Sequence, residues 1–160
     1  MTSLRAAVLT VLFTGLLATP AFADLTGFIG ANMTPKSRHT QGFAVGAGLL
    51  FFGIEFEYST TPDEPTALAP SLHTGMGNVL IQAPFAIFGF QPYFTTGGGF
   101  YQEELGAHSD TGFGVNTGGG VKVSLAGPIR LRVDYRLFKL GSGALSSPAH
   151  RIYAGLNLKF

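Results

Sequence analysis

Along residues 129–140, IRLRVDYRLFKL, apolar and charged side chains take strict turns. Ile129, Leu131, Val133, Tyr135 and Leu137 fall on one parity, and Arg130, Arg132, Asp134 and Arg136 on the other. Successive side chains of a strand point to opposite faces, so this spacing predicts a strand with one apolar face and one charged face. The alternation recurs in residues 151–160, where Ile152, Ala154, Leu156, Leu158 and Phe160 oppose Arg151, Tyr153, Gly155, Asn157 and Lys159. It recurs again in 54–60, with Ile54, Phe56 and Tyr58 against Glu55, Glu57 and Ser59, and in 112–125, with Phe113, Val115, Val121, Val123 and Leu125 against Asn116, Lys122 and Ser124. In 42–51 the face of Phe43, Val45, Ala47, Leu49 and Phe51 is apolar and the other is mostly small. Residues 73–83 and 91–103 alternate without a clear apolar parity, and neither face is assigned there.

With residues 25–34 these segments make eight predicted strands: 25–34, 42–51, 54–60, 73–83, 91–103, 112–125, 129–140 and 151–160. No stretch carries a helical period, so the fold class is all-β. Pro35, Pro62, Pro65, Pro70 and Pro148 fall between strands, and Pro84, Pro92 and Pro128 at strand ends, where a missing N–H does least harm. The connections at 52–53 and 126–128 are tight, whereas 35–41, 61–72, 104–111 and 141–150 are longer and polar; the link near 84–90 is apolar and poorly delimited. Tight turns at one end and long polar loops at the other are the asymmetry of a transmembrane barrel.

Composition sharpens this picture. Of 160 residues only 12% are charged, with 23 Gly, 15 Phe and no Trp or Cys, where a soluble domain is about 25% charged. The absence of cysteine excludes disulfides and thiolate metal sites, and a net charge of +1 gives no electrostatic reason to bind nucleic acid. Arg5, the apolar stretch 6–17 and Ala21-Phe22-Ala23 form a secretory signal peptide over residues 1–23, leaving a barrel domain over 24–160. A retained anchor is the alternative, but the apolar stretch is short for a bilayer.

Alternation alone fits a soluble barrel with a dry core equally well. The export signal, the hydropathy and the loop asymmetry favour the inside-out arrangement. Three arginines of 129–140 facing lipid near the midplane would cost on the order of 10 kcal/mol, so they face the lumen. There Glu55, Glu57 and Asp134 meet Lys122, Arg130, Arg132, Arg136, Arg151 and Lys159. Eight strands enclose an interior just wide enough for side chains, so these charges pair with one another and plug the lumen. Gly118, Gly120 and Gly155, on the inward parity, leave room for the long arginines.

The mature chain resembles the small eight-stranded outer-membrane β-barrels of Gram-negative bacteria, the OmpA-like and OmpX-like porin-fold domains. The resemblance rests on GVNTGGGVKV, IRLRVDYR and a last strand ending in Phe160 with apolar residues at alternate positions back to Ile152. It implies an antiparallel up-and-down barrel in the outer membrane, with Phe160 as a signal read by the barrel-assembly machinery. Outer-membrane lipids are the implied surroundings. No tryptophan is present, so an aromatic girdle would fall to Tyr58, Tyr93, Tyr101 and Tyr135.

No cofactor is implied. Gly97-Gly98-Gly99 and Gly118-Gly119-Gly120 lack both the spacing and the following helix of a phosphate loop, and read as barrel-wall glycines. His39, His73, His108 and His150 lie near the long-loop end without metal-ligand spacing and read as solvated residues. His108-Ser109-Asp110 is the one enzyme-like cluster, but neighbouring side chains point apart where catalysis needs convergence. The expected role is therefore a non-enzymatic structural or surface-interaction protein, its surface ligand not legible. A small porin or conduit for small or apolar solutes is the alternative, and a lipid-modifying enzyme of the same fold the weakest reading.

Overall fold

A computed structural model describes residues 22–160. The eight strands are β1 (Phe22–Asn32), β2 (Arg38–Leu49), β3 (Phe52–Thr61), β4 (Ser71–Gln82), β5 (Phe90–Leu105), β6 (His108–Ala126), β7 (Ile129–Lys139) and β8 (Ala149–Lys159). Each pairs antiparallel with the next, and β1 closes on β8, with Leu25 opposite Leu158 and Asn32 opposite Arg151. Closure leaves no edge strand, so where the strands overlap each wall residue has a neighbour on both sides for its backbone N–H and C=O. The expected signal peptide lies outside the described residues except for Phe22 and Ala23, which form the first rungs of β1 opposite Gly48 and Ala47.

Phe22, Phe160 and the connections 50–51, 83–89 and 127–128 share one end of the barrel; 33–37, 62–70, 106–107 and 140–148 share the other. One expected long loop is absent. Residues 104–111 continue the ladder, with Glu104 opposite Ser109 and Leu105 opposite His108, and only residues 106–107 turn. Gly106, at φ 59°, takes the left-handed conformation that a tight hairpin requires. The polar composition that reads as a loop belongs to a hairpin standing out of the barrel, where both faces meet water. In the 62–70 connection a short 3-10 turn, Pro65–Ala67, is the only helical element among the described residues. A register shift between Ser124 and Ala126 marks a bulge just before the β6–β7 turn.

Facing follows the alternation. Ile54 is 67% exposed on the outer wall while Glu55 beside it is 4% exposed inside. Phe43, Val45, Phe56, Phe113, Val115, Ile152 and Leu156 are likewise exposed, and Arg132 and Arg136 are fully buried. The wall is oily and the interior charged, the reverse of a soluble barrel.

The two unassigned strands also resolve. On β4, Leu72, Thr74, Met76, Asn78 and Leu80 point inward and Gly77, Val79 and Ile81 outward; on β5, Tyr93, Thr95, Tyr101 and Glu103 point inward and Phe94, Phe100 and Gln102 outward. Their pattern is obscure because Leu72, Met76 and Tyr101 join Phe138, Leu140 and Ala149 in an apolar cluster inside the lumen. The lumen is apolar at the long-loop end, so polar-in, apolar-out fails for the strands that line it. This also corrects the expected girdle: Tyr58 and Tyr135 are exposed on the wall, whereas Tyr93 and Tyr101 are buried inside.

The lipid-facing assignment predicts that Phe56→Arg lowers stability by about 2–4 kcal/mol in phospholipid bilayers, with Phe56→Leu close to neutral. Denaturant titration of the bilayer-inserted protein checks this; equal costs for the two variants would put Phe56 in water.

Candidate functional site

Because β7 alternates strictly, Arg130, Arg132, Asp134 and Arg136 stand in one column inside the lumen, with Phe138 next above them. Across from them β3 presents Glu55, Glu57 and Ser59. The central tier is built on this opposition. Arg132 grips Glu55 with both terminal nitrogens, through Nη1 to Oε2 and through Nη2 to Oε1 at 3.2 Å, and reaches Asp134 Oδ2 at 3.1 Å. Arg136 donates to Glu55 Oε1 at 2.8 Å and from Nε to Asp134 Oδ1 at 3.0 Å, and its Nη1 lies 3.0 Å from Glu57 Oε2. Arg151, on β8, completes the chain by donating to Glu57 and to the Ser59 hydroxyl. Two-pronged guanidinium–carboxylate contacts of this kind suit arginine's planar fork, which lysine lacks.

Aromatic rings wedge this tier in place. The Tyr93 hydroxyl donates to Asp134 and accepts from Arg132 Nε at 2.7 Å, and its ring lies 4.8 Å from the Arg132 guanidinium carbon. Phe28 and Tyr153 stack at 4.0 Å, and Arg151 lies over Phe138 at 4.6 Å. The inward glycines leave room for this packing. A Cβ on Gly118 would stand 3.1 Å from Arg136 Cγ, one on Gly120 2.6 Å from the Tyr93 hydroxyl, and one on Gly155 2.8 Å from Phe28 Cβ. In each case the nearest obstacle is a backbone carbonyl of the neighbouring strand, that of Tyr135, Val133 and Gly27 respectively, so these glycines serve the close approach of the wall itself as well as one arginine and two aromatic side chains.

A second tier lies toward the chain ends. Asp24 accepts from Lys122 at 2.7 Å and from Arg130 at 3.2 Å, while Asn157 bridges Asp24, Thr26 and Arg130. Gln91 accepts from Arg130 at 2.9 Å. Beside Asp24, Lys122 and Glu55 is a void of about 10 Å3, about the space of one water.

At the long-loop end the apolar cluster lies above the column, and two charges hold the loops over it. Arg38 donates to the carbonyls of Pro62 and Pro70 and to that of Thr34 at 3.0 Å, tying the β1–β2 loop to the β3–β4 loop. Glu103, fully buried, accepts from the backbone N–H groups of Leu145 at 2.7 Å and Ser146 at 3.0 Å, drawing the β7–β8 loop inward.

The structure thus places Glu55, Glu57, Lys122, Arg130, Arg132, Asp134, Arg136 and Arg151 inside the lumen, joined by ion pairs. Lys159 stands apart. It lies at the rim with its ammonium 3.5 Å from the Phe22 ring centroid and has no carboxylate partner among the described residues, because Lys122 and Arg130 occupy Asp24. Sequence reasoning missed Asp24, Tyr93 and Tyr153. Asp24 shares the inward parity of Thr26 and Phe28, a signal hidden by its place at the head of the expected mature chain.

The remaining motifs do not assemble a site. His73 and His150 face outward and pair through Nδ1 with Tyr58 at 3.3 Å and Tyr135 at 2.7 Å. His39 is exposed, and His108 lies next to the hairpin tip. Among the described residues no three His, Asp or Glu side chains gather into a metal-binding group. Asp110 points inward and accepts from the Tyr101 hydroxyl at 2.5 Å, whereas Ser109 faces outward, so the two diverge. Phe160 is exposed at the rim and exchanges two backbone hydrogen bonds of 2.9 Å with Ala23.

Comparison with protein families finds no match, and no curated protein is similar in sequence. Among solved structures the chain is similar to the N-terminal β-barrel domain of Pseudomonas aeruginosa OprF, at a TM-score of 0.69 and 11% identity over 87% of this chain and 97% of that one. It is also similar to Neisserial surface protein A (TM-score 0.66, 14% identity, 88% of this chain and 97% of that one). A third is Ail, the attachment invasion locus protein of Yersinia pestis (TM-score 0.53, 12% identity, 89% and 99%). The chain therefore has the fold of the small eight-stranded outer-membrane β-barrels, closed and antiparallel throughout.

Removing Arg132 would leave the three buried acids Glu55, Glu57 and Asp134 to the two guanidiniums of Arg136 and Arg151. Arg132→Ala is expected to cost about 3–5 kcal/mol, and Arg132→Lys to recover only part of that, since the two-pronged contact is lost. Urea unfolding in detergent micelles measures both; a full recovery by lysine would show that charge alone is required.

Proposed function

We propose that this protein is a closed, non-enzymatic barrel of the bacterial outer membrane, exported by its amino-terminal signal, whose work is done by its wall and its surface loops. The observation that carries the reading is the ion-pair column: Arg132 and Arg136 are fully buried and share Glu55, Glu57 and Asp134 between them. A selective pore lines an open path with charge; here the charges on opposite walls touch. The apolar cluster above them leaves water little to follow. What remains for function is the hairpin of β5 and β6 and the loops tied by Arg38 and Glu103, a shaped surface for a partner outside the cell. The divergence of Ser109 and Asp110 supports the non-enzymatic reading.

In planar bilayers the protein is expected to conduct negligibly, and the Arg132→Ala, Asp134→Ala double variant to leak. A steady open channel in the unaltered protein would favour a small porin instead.

Phe160 is proposed as a contact for the assembly machinery. Its ring is exposed at the closing seam of β8 with β1 rather than committed to the interior. Deleting it is expected to slow insertion in cells severalfold while leaving the purified chain able to refold in detergent. Unchanged insertion in cells would refute the assignment.

A further inference from the structure

The end of the barrel that carries Phe22 and Phe160 does not look like a surface made for water. Residues 49–54, Leu-Leu-Phe-Phe-Gly-Ile, and residues 83–90, Ala-Pro-Phe-Ala-Ile-Phe-Gly-Phe, contain no polar side chain. They form the β2–β3 and β4–β5 turns, which are neighbours: Phe52 stands opposite Ile81, and the N–H of Gln82 donates to Phe51 O at 2.8 Å. The β4–β5 turn is folded, not loose. Ile87 and Phe90 exchange backbone hydrogen bonds of 2.9 and 3.0 Å, and Ser124 N–H donates to Gly89 O at 2.9 Å. Its side chains nevertheless point away from the protein, with Phe88 97% and Phe85 68% exposed. Leu50, Phe51, Phe52 and Ile87 are exposed beside them.

The backbone makes this choice of residues stranger. Leu50 at φ 47° and Phe88 at φ 51° occupy the left-handed region, where turns ordinarily place Gly, Asn or Asp. The third turn at the same end shows the ordinary solution, with Gly127 at φ 54° between Ala126 and Pro128. Two turns therefore carry large apolar side chains where local geometry disfavours them and water would penalise them. Exposed apolar patches of this kind mark a membrane or partner surface.

We infer that the β2–β3 and β4–β5 turns are sunk in the inner leaflet of the outer membrane, with lipid acyl chains and the glycerol region as their occupant. The inference rests on the reading of the barrel as membrane-spanning. Continuity selects lipid over a protein partner: the patch runs without a polar break into the lipid-facing wall, from Phe52 to Ile54 on β3, Ile81 to Val79 on β4 and Phe90 to Phe94 on β5. The charges at this end, Asp24, Lys122, Arg130 and Lys159, belong to the lumen and its mouth and do not interrupt it. Since the β6–β7 turn carries no aromatic residue and exposes only Leu125 and Ile129 at its flanks, the barrel is anchored more deeply along β2–β5 than along β6–β7.

The chain has no tryptophan, so a single one reports its own depth. Phe88→Trp, Ile87→Trp and the control Pro128→Trp would be refolded into phosphatidylcholine vesicles containing acyl chains brominated close to the glycerol, with the heat-shifted gel band certifying closed barrels. Emission from positions 88 and 87 is expected to be blue-shifted, at least about twofold more quenched by bromolipid than that from position 128, and about twofold less by aqueous acrylamide. In a closed barrel, acrylamide access equal to that of the control with no bromolipid quenching would overturn the inference and leave a protein as the occupant. If the unaltered chain gives no heat-shifted band in vesicles, the membrane-spanning reading falls and the anchor with it. Either reporter suffices if the other fails to fold.

Discussion

The closed wall of eight strands sets the terms for everything inside it. Such a barrel is just wide enough for side chains from opposite walls to meet, so an inward charge has no bulk water to retreat into. Each guanidinium must find a carboxylate across the lumen or bear a desolvation cost of several kcal/mol. Arg132 and Arg136 meet that demand by sharing Glu55 and Asp134, and Arg136 and Arg151 by flanking Glu57. The arginine-rich face of β7 is tolerable only because β3 lies opposite with its acids at matching height.

The lumen is layered along its axis. A rim tier of Asp24, Lys122 and Arg130 gives way to the arginine column, and that to the cluster of Leu72, Met76, Tyr101, Phe138, Leu140 and Ala149. Charge in the middle fixes which strands face one another, since mispaired walls would leave buried ions alone. Oil above it packs beneath the loops that Arg38 and Glu103 pull inward. The ion-pair column and the seating of the loops both depend on one filled interior.

Much of this was legible beforehand, and the exceptions share a cause. Strands such as 129–140 and 54–60 announce both faces, because a charged residue inside and an apolar residue outside alternate without relief. β4 and β5 are silent because Leu72, Met76 and Tyr101 face an oily part of the lumen and Leu80 also points inward, so neither parity looks polar. Residues 104–111 deceive in the opposite direction: a hairpin standing in water needs no apolar face, and its sequence resembles a loop. Lys159 has the right parity but the wrong height, ending at the mouth over Phe22.

The chain by itself determined the number of strands, the facing of most of them and the opposite signs carried inside, because the two-residue period of a strand writes facing directly into the order of residues. Height and partnership are another matter. Which acid each arginine holds depends on how strands distant in sequence are staggered around a closed wall, and Arg132 and Glu55 lie 77 residues apart. Only the tertiary structure could bring Asp24 to Lys122, turn Tyr93 from a girdle position into the wedge between Arg132 and Asp134, and set the apolar turns of β2–β3 and β4–β5 side by side. Register is a property of the closed sheet, and no local pattern encodes it.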